Sequence, residues 1–176
     1  MKSYFFNLQS IPLISYHNDI LEMGRVKQIK KYNVGYTTGV FDLFHIGHLN
    51  LLERCKEQCN HLIVAVCTDE YAHESGKHPI ISYEDRARII AALKCVNKVI
   101  PMTYTDKLKA WQENKFDVLF SGDDWKGSQR YAETERQFKE IGVDIVYFPY
   151  TKTVSTTMIR NKLRYGRLTV TKSAKS

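Results

Sequence analysis

Five short apolar runs alternate with stretches of helical periodicity, and this alternation constrains the fold more than any other feature of the sequence. The runs lie at 34–38, 61–67, 96–100, 116–120 and 143–148. Strands that alternate with helices form parallel sheets with right-handed crossovers. Short strands rich in Val and Ile suit a sheet that is buried on both faces. The sequence therefore predicts an α/β chain with a doubly wound, five-stranded parallel sheet.

Polar residues at the ends of these runs predict where the helices begin. Ser82-Tyr-Glu-Asp85 matches a capping box, in which the first side chain accepts a backbone N–H of the first turn. Thr105-Asp106, Ser128 and Ser155 are placed to open or cap three further helices. Between the second strand and the capping box, residues 71–81 are expected to form a long loop, and such loops are often functional.

The candidate functional residues follow strands. Ligands of doubly wound sheets bind outside the carboxyl ends of the strands, where the strand order reverses. The segments 39–48, 68–77, 122–125 and 150–157 follow the first, second, fourth and fifth predicted strands. Four such segments at one edge predict a single site there.

The segment from Gly39 to His48 combines features that bind anions. A helix that begins near Ile46 presents free N–H groups and the positive end of its dipole. His45 and His48 add ring N–H donors, and Gly47 leaves the backbone open to a ligand. This indicates a cradle for phosphates. From the residues alone, a surface histidine pair or half of a zinc site is about as plausible.

Basic and hydroxyl residues extend the candidate site. Lys77, in the predicted loop, can reach a phosphate as a mobile charge, and Arg86 can bind one with its planar fork. From the residues alone, a solvated loop position is favoured for Lys77, and a solvated position is similarly open for Arg86. Hydroxyls at 155–157 can cap a helix and also donate to phosphates. Gly122-Asp-Asp-Trp125 suits a turn, or a loop that reads the amino group of a base and walls its pocket with Trp125.

Length and charge bound the organisation of the chain. We divide its 176 residues into an N-terminal extension (1–33), one domain (34–165) and a basic tail (166–176). The sequence has no apolar run near the length of a membrane span and no secretory signal pattern, so a cytoplasmic protein without stable membrane insertion is expected. The four cysteines fit buried free thiols. Six basic residues and no acid lie within 158–176, which we assign to a helix end and terminus and not to nucleic-acid binding.

The motifs together resemble one family. Gly39-Val-Phe-Asp with His45-Ile-Gly-His48 is similar to the H-x-G-H signature of the cytidylyltransferase branch of the nucleotidyltransferases. Ser82-Tyr-Glu-Asp-Arg86 and Val154-Ser-Thr-Thr157 resemble later family segments in the same order. Gly122-Asp-Asp-Trp125 is most similar to the glycerol-3-phosphate cytidylyltransferases. The resemblance covers about residues 34–165 and implies the Rossmann-like nucleotidyltransferase fold.

The resemblance also implies roles for residues of this chain. It implies catalytic roles for His45, His48, Lys77 and Arg86. It implies nucleotide binding by Gly39, Val40, Phe41, Gly47, Gly122, Asp123, Ser155, Thr156 and Thr157. It implies acceptor binding by Asp42, Lys77, Arg86 and Trp125. In this scheme Asp42 orients the histidine loop or meets the acceptor, and Arg160 lies near the phosphates.

Three segments depart from the family pattern. The family's Arg-Thr-Glu-Gly is Tyr150-Thr-Lys-Thr153 here, and Lys152 restores the charge but not a bidentate fork. The segment that the family uses at its dimer interface, R-Y-V-D, is Lys94-Cys-Val-Asn97. The span 127–140 is longer than in compact members. These departures leave the nucleotide, the dimer and the acceptor pocket open.

The expected reaction is the condensation of CTP with a small phosphorylated alcohol, with glycerol 3-phosphate as the first choice, to a CDP-alcohol and pyrophosphate. The acceptor attacks in line, without a covalent enzyme intermediate, and Mg²⁺ arrives on the triphosphate. A homodimer is expected. The alternatives are an ethanolamine- or choline-phosphate cytidylyltransferase, an adenylyltransferase, or a non-catalytic module that binds nucleotide or polyanion.

Overall fold

The computed structural model describes residues 29–170, which form an all-parallel sheet with helices on both faces. The strands are β1 (Tyr32–Gly39), β2 (Cys59–Cys67), β3 (Lys98–Met102), β4 (Val118–Gly122) and β5 (Asp144–Phe148). The helices are α1 (Ile46–Gln58), α2 (Asp69–Glu74), α3 (Tyr83–Ala91), α4 (Lys107–Asn114), α5 (Gln129–Glu140) and α6 (Thr156–Val170), and a 3₁₀ turn covers Asp123–Trp125. The predicted fold class is confirmed.

The strand order is β3-β2-β1-β4-β5, so the chain reverses direction across the sheet at β1. On one side Gly39 pairs in register with Val66 of β2. On the other side Thr37 pairs with Phe120 of β4. The gap between the loops that leave β1 and β4 is the switch point, which is where ligands of such sheets bind.

Each face of the sheet buries its own core. One core joins strand residues to Leu52 and Cys55 of α1 and Ile90 of α3. The other joins Tyr36 to Ala110 of α4 and Phe138 of α5. Helices on both faces explain why the strands are continuously apolar. Three of the cysteines are buried, as predicted, and burial raises the pKa of their thiols.

Two strands, β3 and β4, begin two residues later than predicted because apolar residues in the preceding turns also reach the core. The N–H of Val96 donates to the carbonyl of Leu93, which places Val96 in the turn before β3. Phe116 follows Lys115, which adopts a left-handed φ of 47°, and its ring stacks on Tyr36 with centroids 4.6 Å apart. Apolar residues therefore occur in these turns as well as in the strands, so the apolar pattern does not show where each strand begins.

The four predicted helix starts are confirmed, and only the side-chain cap at Ser128 is missing. Ser82, Asp106 and Ser155 each accept a backbone N–H of the first turn that follows. The Ser128 hydroxyl instead donates to the carbonyl of Trp125 at 2.8 Å. The prediction of a loop over 71–81 is wrong for residues 71–74, which belong to the short helix α2 that Thr68 caps.

The predicted domain limits fall partly outside the described residues. Residues 1–28 of the predicted extension and 171–176 of the predicted tail are not described, and α6 continues through Val170, beyond the predicted domain end. Within residues 29–170, no helix combines the length and apolar character that a membrane span requires.

Candidate active site

The loops that leave β1, β4 and β5 meet at the carboxyl edge of the sheet around one cleft. Its empty volume, including the open mouth, is about 450 Å³. The cleft is lined by His45, Gly47, His48, Leu51, Arg54, Gly122, Phe148, Pro149, Tyr150 and Thr151. The structure thus brings the predicted histidine loop, the end of β4 and the segment before α6 together at the switch point.

The two histidines are stacked at the beginning of α1. His45 is the N-cap, and its Nδ1 accepts the N–H of Gly47 at 3.1 Å. The neutral ring therefore carries its proton on Nε2. His45 Nε2 and His48 Nδ1 are buried and have no partner among the described residues. The ring centroids lie 3.9 Å apart, at an interplanar angle of 20°.

Both histidines are held in the neutral form. Burial lowers the pKa of His45. Burial also lowers the pKa of His48 to about 4; the charge of His45 adds to this effect, and the charge of Asp42 opposes it. Two stacked cations 3.9 Å apart would repel, so the arrangement favours neutral rings until an anion is present.

The backbone of the histidine loop is strained, and its glycines are required by contact. Phe41 and Leu43 adopt left-handed φ values of 55° and 47°, which cost energy in residues other than glycine. A Cβ on Gly39 would lie 2.9 Å from the Phe41 ring. A Cβ on Gly47 would lie 2.9 Å from the His45 ring. These two glycines therefore allow the rings around the site to take their positions.

Asp42 faces the protein interior. It is 3% exposed, and its Oδ1 accepts the N–H groups of Ile80 and Ile81, each at 3.0 Å. Its Oδ2 accepts Arg160 Nη2 at 2.6 Å. Burial raises the pKa of this carboxyl, but the hydrogen bonds from Arg160, Ile81 and Ile80 outweigh burial and hold the pKa below its usual range. Of the two predicted roles, these contacts favour orienting the histidine loop.

Arg86 does not face the cleft, and this corrects its predicted contact with the acceptor phosphate. Its side chain is 0% exposed. Its donors are taken by the carbonyls of Ile81, Val40 and Cys67 and by Asp69 Oδ1 at 2.5 Å. A guanidinium with this set of partners joins three loops at the sheet edge and acts as a structural element.

Lys77 is exposed, follows α2 and is not among the residues that line the cleft. Its backbone N–H donates to the carbonyl of Ala72 at 2.8 Å. The charges of Lys77 and Lys107 both favour the thiolate of Cys67, at the end of β2, although burial raises the pKa of that thiol overall. The two ammonium groups therefore lie near the carboxyl end of β2.

The segment after β4 also differs from its prediction. Asp123 is exposed, so it is not the buried carboxylate considered for reading a base; its Oδ1 accepts the N–H of Tyr150 at 3.2 Å. Trp125 stacks on Tyr131 with centroids 5.5 Å apart and packs against the core. Gly122 lines the cleft, and a Cβ there would lie 2.6 Å from Asp124 Oδ1.

The hydroxyls before α6 have different partners. Ser155 Oγ accepts the N–H of Met158 at 3.1 Å. Thr156 Oγ1 donates to the carbonyl of Asp42 at 2.9 Å, and Thr157 is exposed. Thr156 thereby fixes the beginning of α6 against the histidine loop. Arg160, expected near the phosphates, is held by Asp42 and by the carbonyl of His78.

Comparisons with known proteins agree with this geometry. Residues 36–162 match the model of the cytidylyltransferase-like family. The chain belongs to this family. The glycerol-3-phosphate cytidylyltransferase of Bacillus spizizenii is 38% identical over 128 residues, covering 72% of this chain and 94% of the relative. The enzyme of the same name from Staphylococcus aureus is 34% identical over 138 residues, covering 74% and 94%.

Other relatives of this cytidylyltransferase-like chain carry different names. The FAD synthase of Thermoplasma acidophilum is 32% identical and covers 72% of this chain and 90% of its own. Among solved structures, the lipopolysaccharide core biosynthesis protein of Thermoplasma volcanium aligns with a TM-score of 0.58 at 30% identity, over 70% of this chain and 99% of that chain. The predicted family and enzyme class, a nucleotidyltransferase, are confirmed.

The structure adds two basic residues of this family member that sequence reasoning missed. Arg54, on α1, lines the cleft and donates to the carbonyl of Pro149 at 3.3 Å. Lys107, at the beginning of α4, donates to Thr38 Oγ1 at 3.3 Å, at the end of β1. Arg54 lies about two turns after Gly47 and one turn after Leu51 on the same face of α1, and this helical spacing is the available signal. No local pattern points to Lys107.

Proposed function

We propose that this cytidylyltransferase-like enzyme condenses CTP with glycerol 3-phosphate to give CDP-glycerol and pyrophosphate. The stacked histidine pair at the beginning of α1 is the observation that carries the proposal, because it presents an unpartnered ring Nε2 together with the free N–H groups of a helix. The choice of substrates comes from the named relatives, since the alignment with this chain covers 94% of the length of each of them.

The reaction needs no covalent intermediate. An oxygen of the acceptor phosphate attacks the α-phosphorus of CTP, and the bond from that phosphorus to the bridging oxygen of the β-phosphate breaks in line. The electron pair leaves with pyrophosphate. Catalysis then consists of positioning and of stabilising the charge that develops on the leaving group.

The histidine loop supplies the donors for that charge. His45 Nε2–H is oriented by the bond between its Nδ1 and Gly47, and it donates to the triphosphate. His48 lies beside it in the first turn of α1. Ser155 and Thr157 receive the outer phosphates at the beginning of α6. Lys77 spans the acceptor phosphate and the α-phosphate as a flexible charge.

The cytosine ring is placed in the cleft beyond the histidines. Gly122 and Tyr150 line it, and Tyr150 is 56% exposed, so its ring face is available to a base. Tyr150 stands where the family has an arginine. A planar aromatic side chain at this position provides stacking in place of a bidentate fork.

Mg²⁺ accompanies the triphosphate as part of the substrate. The cleft presents ring nitrogens, and both oxygens of Asp42 are engaged by protein donors. The hard oxygen ligands that Mg²⁺ prefers therefore come from the phosphates. Addition of EDTA should abolish turnover, and excess Mg²⁺ should restore it.

The decisive experiment measures pyrophosphate release with Mg²⁺, crossing CTP and ATP against glycerol 3-phosphate, phosphoethanolamine and phosphocholine. Release with CTP and glycerol 3-phosphate alone is expected. Release with another acceptor keeps the chemistry and rejects the acceptor, and release with ATP rejects the nucleotide. No release in any combination, together with no CTP binding, points to a non-catalytic module.

The remaining expectations are proposals of the same kind. We infer that the protein acts in the cytoplasm, where nucleotides and phosphorylated alcohols are available, and that it forms a homodimer. Light scattering after size exclusion separates a monomer of 20.5 kDa from a dimer. Fractionation of cells into cytosol and membranes tests the location.

A further inference from the structure

Arg160 connects three segments of the site that are far apart in the sequence. Its Nη2 lies 2.6 Å from Asp42 Oδ2 in the histidine loop and 2.6 Å from the carbonyl oxygen of His78. Arg160 is on α6, one turn after Thr156, whose hydroxyl holds the carbonyl of Asp42 at 2.9 Å. One face of α6 therefore holds the histidine loop at two points.

The segment 75–82 between α2 and α3 is attached to the same carboxylate. Its later part is fixed by the N–H groups of Ile80 and Ile81, which donate to Asp42 Oδ1. Its earlier part is joined to the network through the carbonyl of His78, which accepts from Arg160. His78 directly follows Lys77 in the sequence.

We propose that Arg160 is a positioning residue that fixes the segment carrying Lys77 to the helix that begins with Thr156. This inference rests on the proposed function, because Lys77 and the beginning of α6 contact phosphates only in that scheme. Through the guanidinium, the backbone next to Lys77 is held at a constant distance from the beginning of α6. Arg160 itself touches neither substrate.

The effect of removing Arg160 should be local. Asp42 keeps two backbone donors on Oδ1, and Thr156 still anchors α6. What is lost is the ion pair with Asp42 Oδ2 and the contact at His78, next to Lys77. Arg160 does not line the cleft, and Thr156 still holds the histidine loop at the carbonyl of Asp42. Nucleotide binding should therefore persist while alignment of the acceptor fails.

The test compares Arg160→Met with Arg164→Met. Arg164 is an exposed arginine one turn further along the same helix, and its replacement removes the same charge. We expect R160M to lower kcat about 10- to 100-fold, the range that misplacement of reacting groups causes. The Kd for CTP should change less than about twofold, which is under 0.5 kcal/mol. R164M should match the wild type, and R160K should recover part of the lost kcat.

Hydrogen exchange gives a readout that does not depend on activity. The peptide that covers 75–82 should exchange faster in R160M than in R164M, while the peptides of α1 stay unchanged. If R160M does not fold, Arg160→Gln carries the same comparison. A positioning role requires both the loss of kcat at constant CTP affinity and the faster exchange of this peptide.

Two results overturn the inference. Equal kcat in R160M and R164M removes the positioning role. A loss of CTP affinity that matches the loss of kcat places Arg160 on the nucleotide itself. If the wild type shows no turnover with any acceptor, the proposed function fails. Hydrogen exchange then still tests the inference by itself, because unchanged exchange of the 75–82 peptide in R160M would show that Arg160 does not fix this segment to α6.

Discussion

The carboxyl edge of the sheet has a cleft side, where the loops after β1, β4 and β5 meet, and a β2 side, where Arg86 and Asp42 lie. The two sides differ in how completely their buried polar groups are paired. On the cleft side, His45 Nε2 and His48 Nδ1 are buried without a partner in the described part of the chain. On the β2 side, Arg86 makes four hydrogen bonds and both oxygens of Asp42 are engaged. The exception on that side is Arg160 Nε, which is buried without a partner among the described residues although Nη2 of the same guanidinium makes two bonds. Folded proteins pair nearly all buried polar atoms, so two unpaired ring nitrogens beside one cleft indicate where a ligand is expected.

The comparison separates binding from positioning. The unpaired ring nitrogens are ready to meet an anion, and the paired charges hold the loops that carry them. A substitution on the cleft side should therefore reduce turnover while the fold persists. Replacement of the fully buried Arg86 on the β2 side should reduce stability first.

Replacement of His48 by Ala gives the largest expected effect. Removal of a donor to developing charge costs roughly 10²- to 10³-fold in turnover, and we expect the upper end because the neighbouring His45 ring loses its stacking partner. Pyrophosphate release measures this, with circular dichroism to verify the fold. His61→Ala, an exposed histidine on β2, is the matched control. A loss below about tenfold, or 1.4 kcal/mol, contradicts the role of His48.

Replacement of Arg86 by Met tests the other side. It leaves Asp69 and three buried carbonyls without their donor, and breaking such a buried pair typically costs about 3–5 kcal/mol. The partial exposure of Asp69, 31%, favours the lower end of that range. Urea unfolding measures the change. Arg88→Met, exposed on the same helix, should stay within about 0.5 kcal/mol of the wild type. Equal stabilities of the two variants would show that the buried network is dispensable.

The difference between these two sides also explains which parts of the site can be predicted from the sequence. The histidine loop was predicted correctly in outline because its contacts are local: a cap, a glycine and a helix start lie within a few residues. The family resemblance of Ser82–Arg86 assigns Arg86 to a phosphate, and helical position alone does not show its actual partners. Those partners, at Val40, Cys67 and Ile81, lie on three separate segments that only the folded sheet edge brings together.

Asp42 and Arg160 illustrate the same limit over a longer distance. They are 118 residues apart in sequence, and neither lies in a pattern that predicts the other. The order of strands and helices could be predicted because apolar periodicity is a property of each segment alone. The pairing of charges between segments depends on the final arrangement, which the pattern does not specify.

Replacement of Gly47 by Ala should have a smaller effect on the cleft side. The added Cβ would lie 2.9 Å from His45 Cε1 and 3.0 Å from Nδ1, so the ring must move away from its capping position. We expect the Kd for CTP to rise roughly tenfold, which corresponds to 1.4 kcal/mol. Isothermal titration measures the Kd. Stability should change little, and an unchanged Kd would show that the position of His45 is not required for nucleotide binding.

The pH dependence of stability provides the smallest and most specific test of the cleft side. Burial lowers the pKa of His48 to about 4, whereas an unfolded chain takes up this proton near pH 6.5. Between these values the unfolded state binds more protons, so stability falls as the pH falls. His48→Asn removes this difference. The wild type should therefore lose more unfolding free energy than H48N between about pH 7 and pH 5, a window that lies above the titration of most carboxyls. Urea midpoints at both pH values measure the loss, and equal losses would mean that the ring of His48 is not buried in its neutral form.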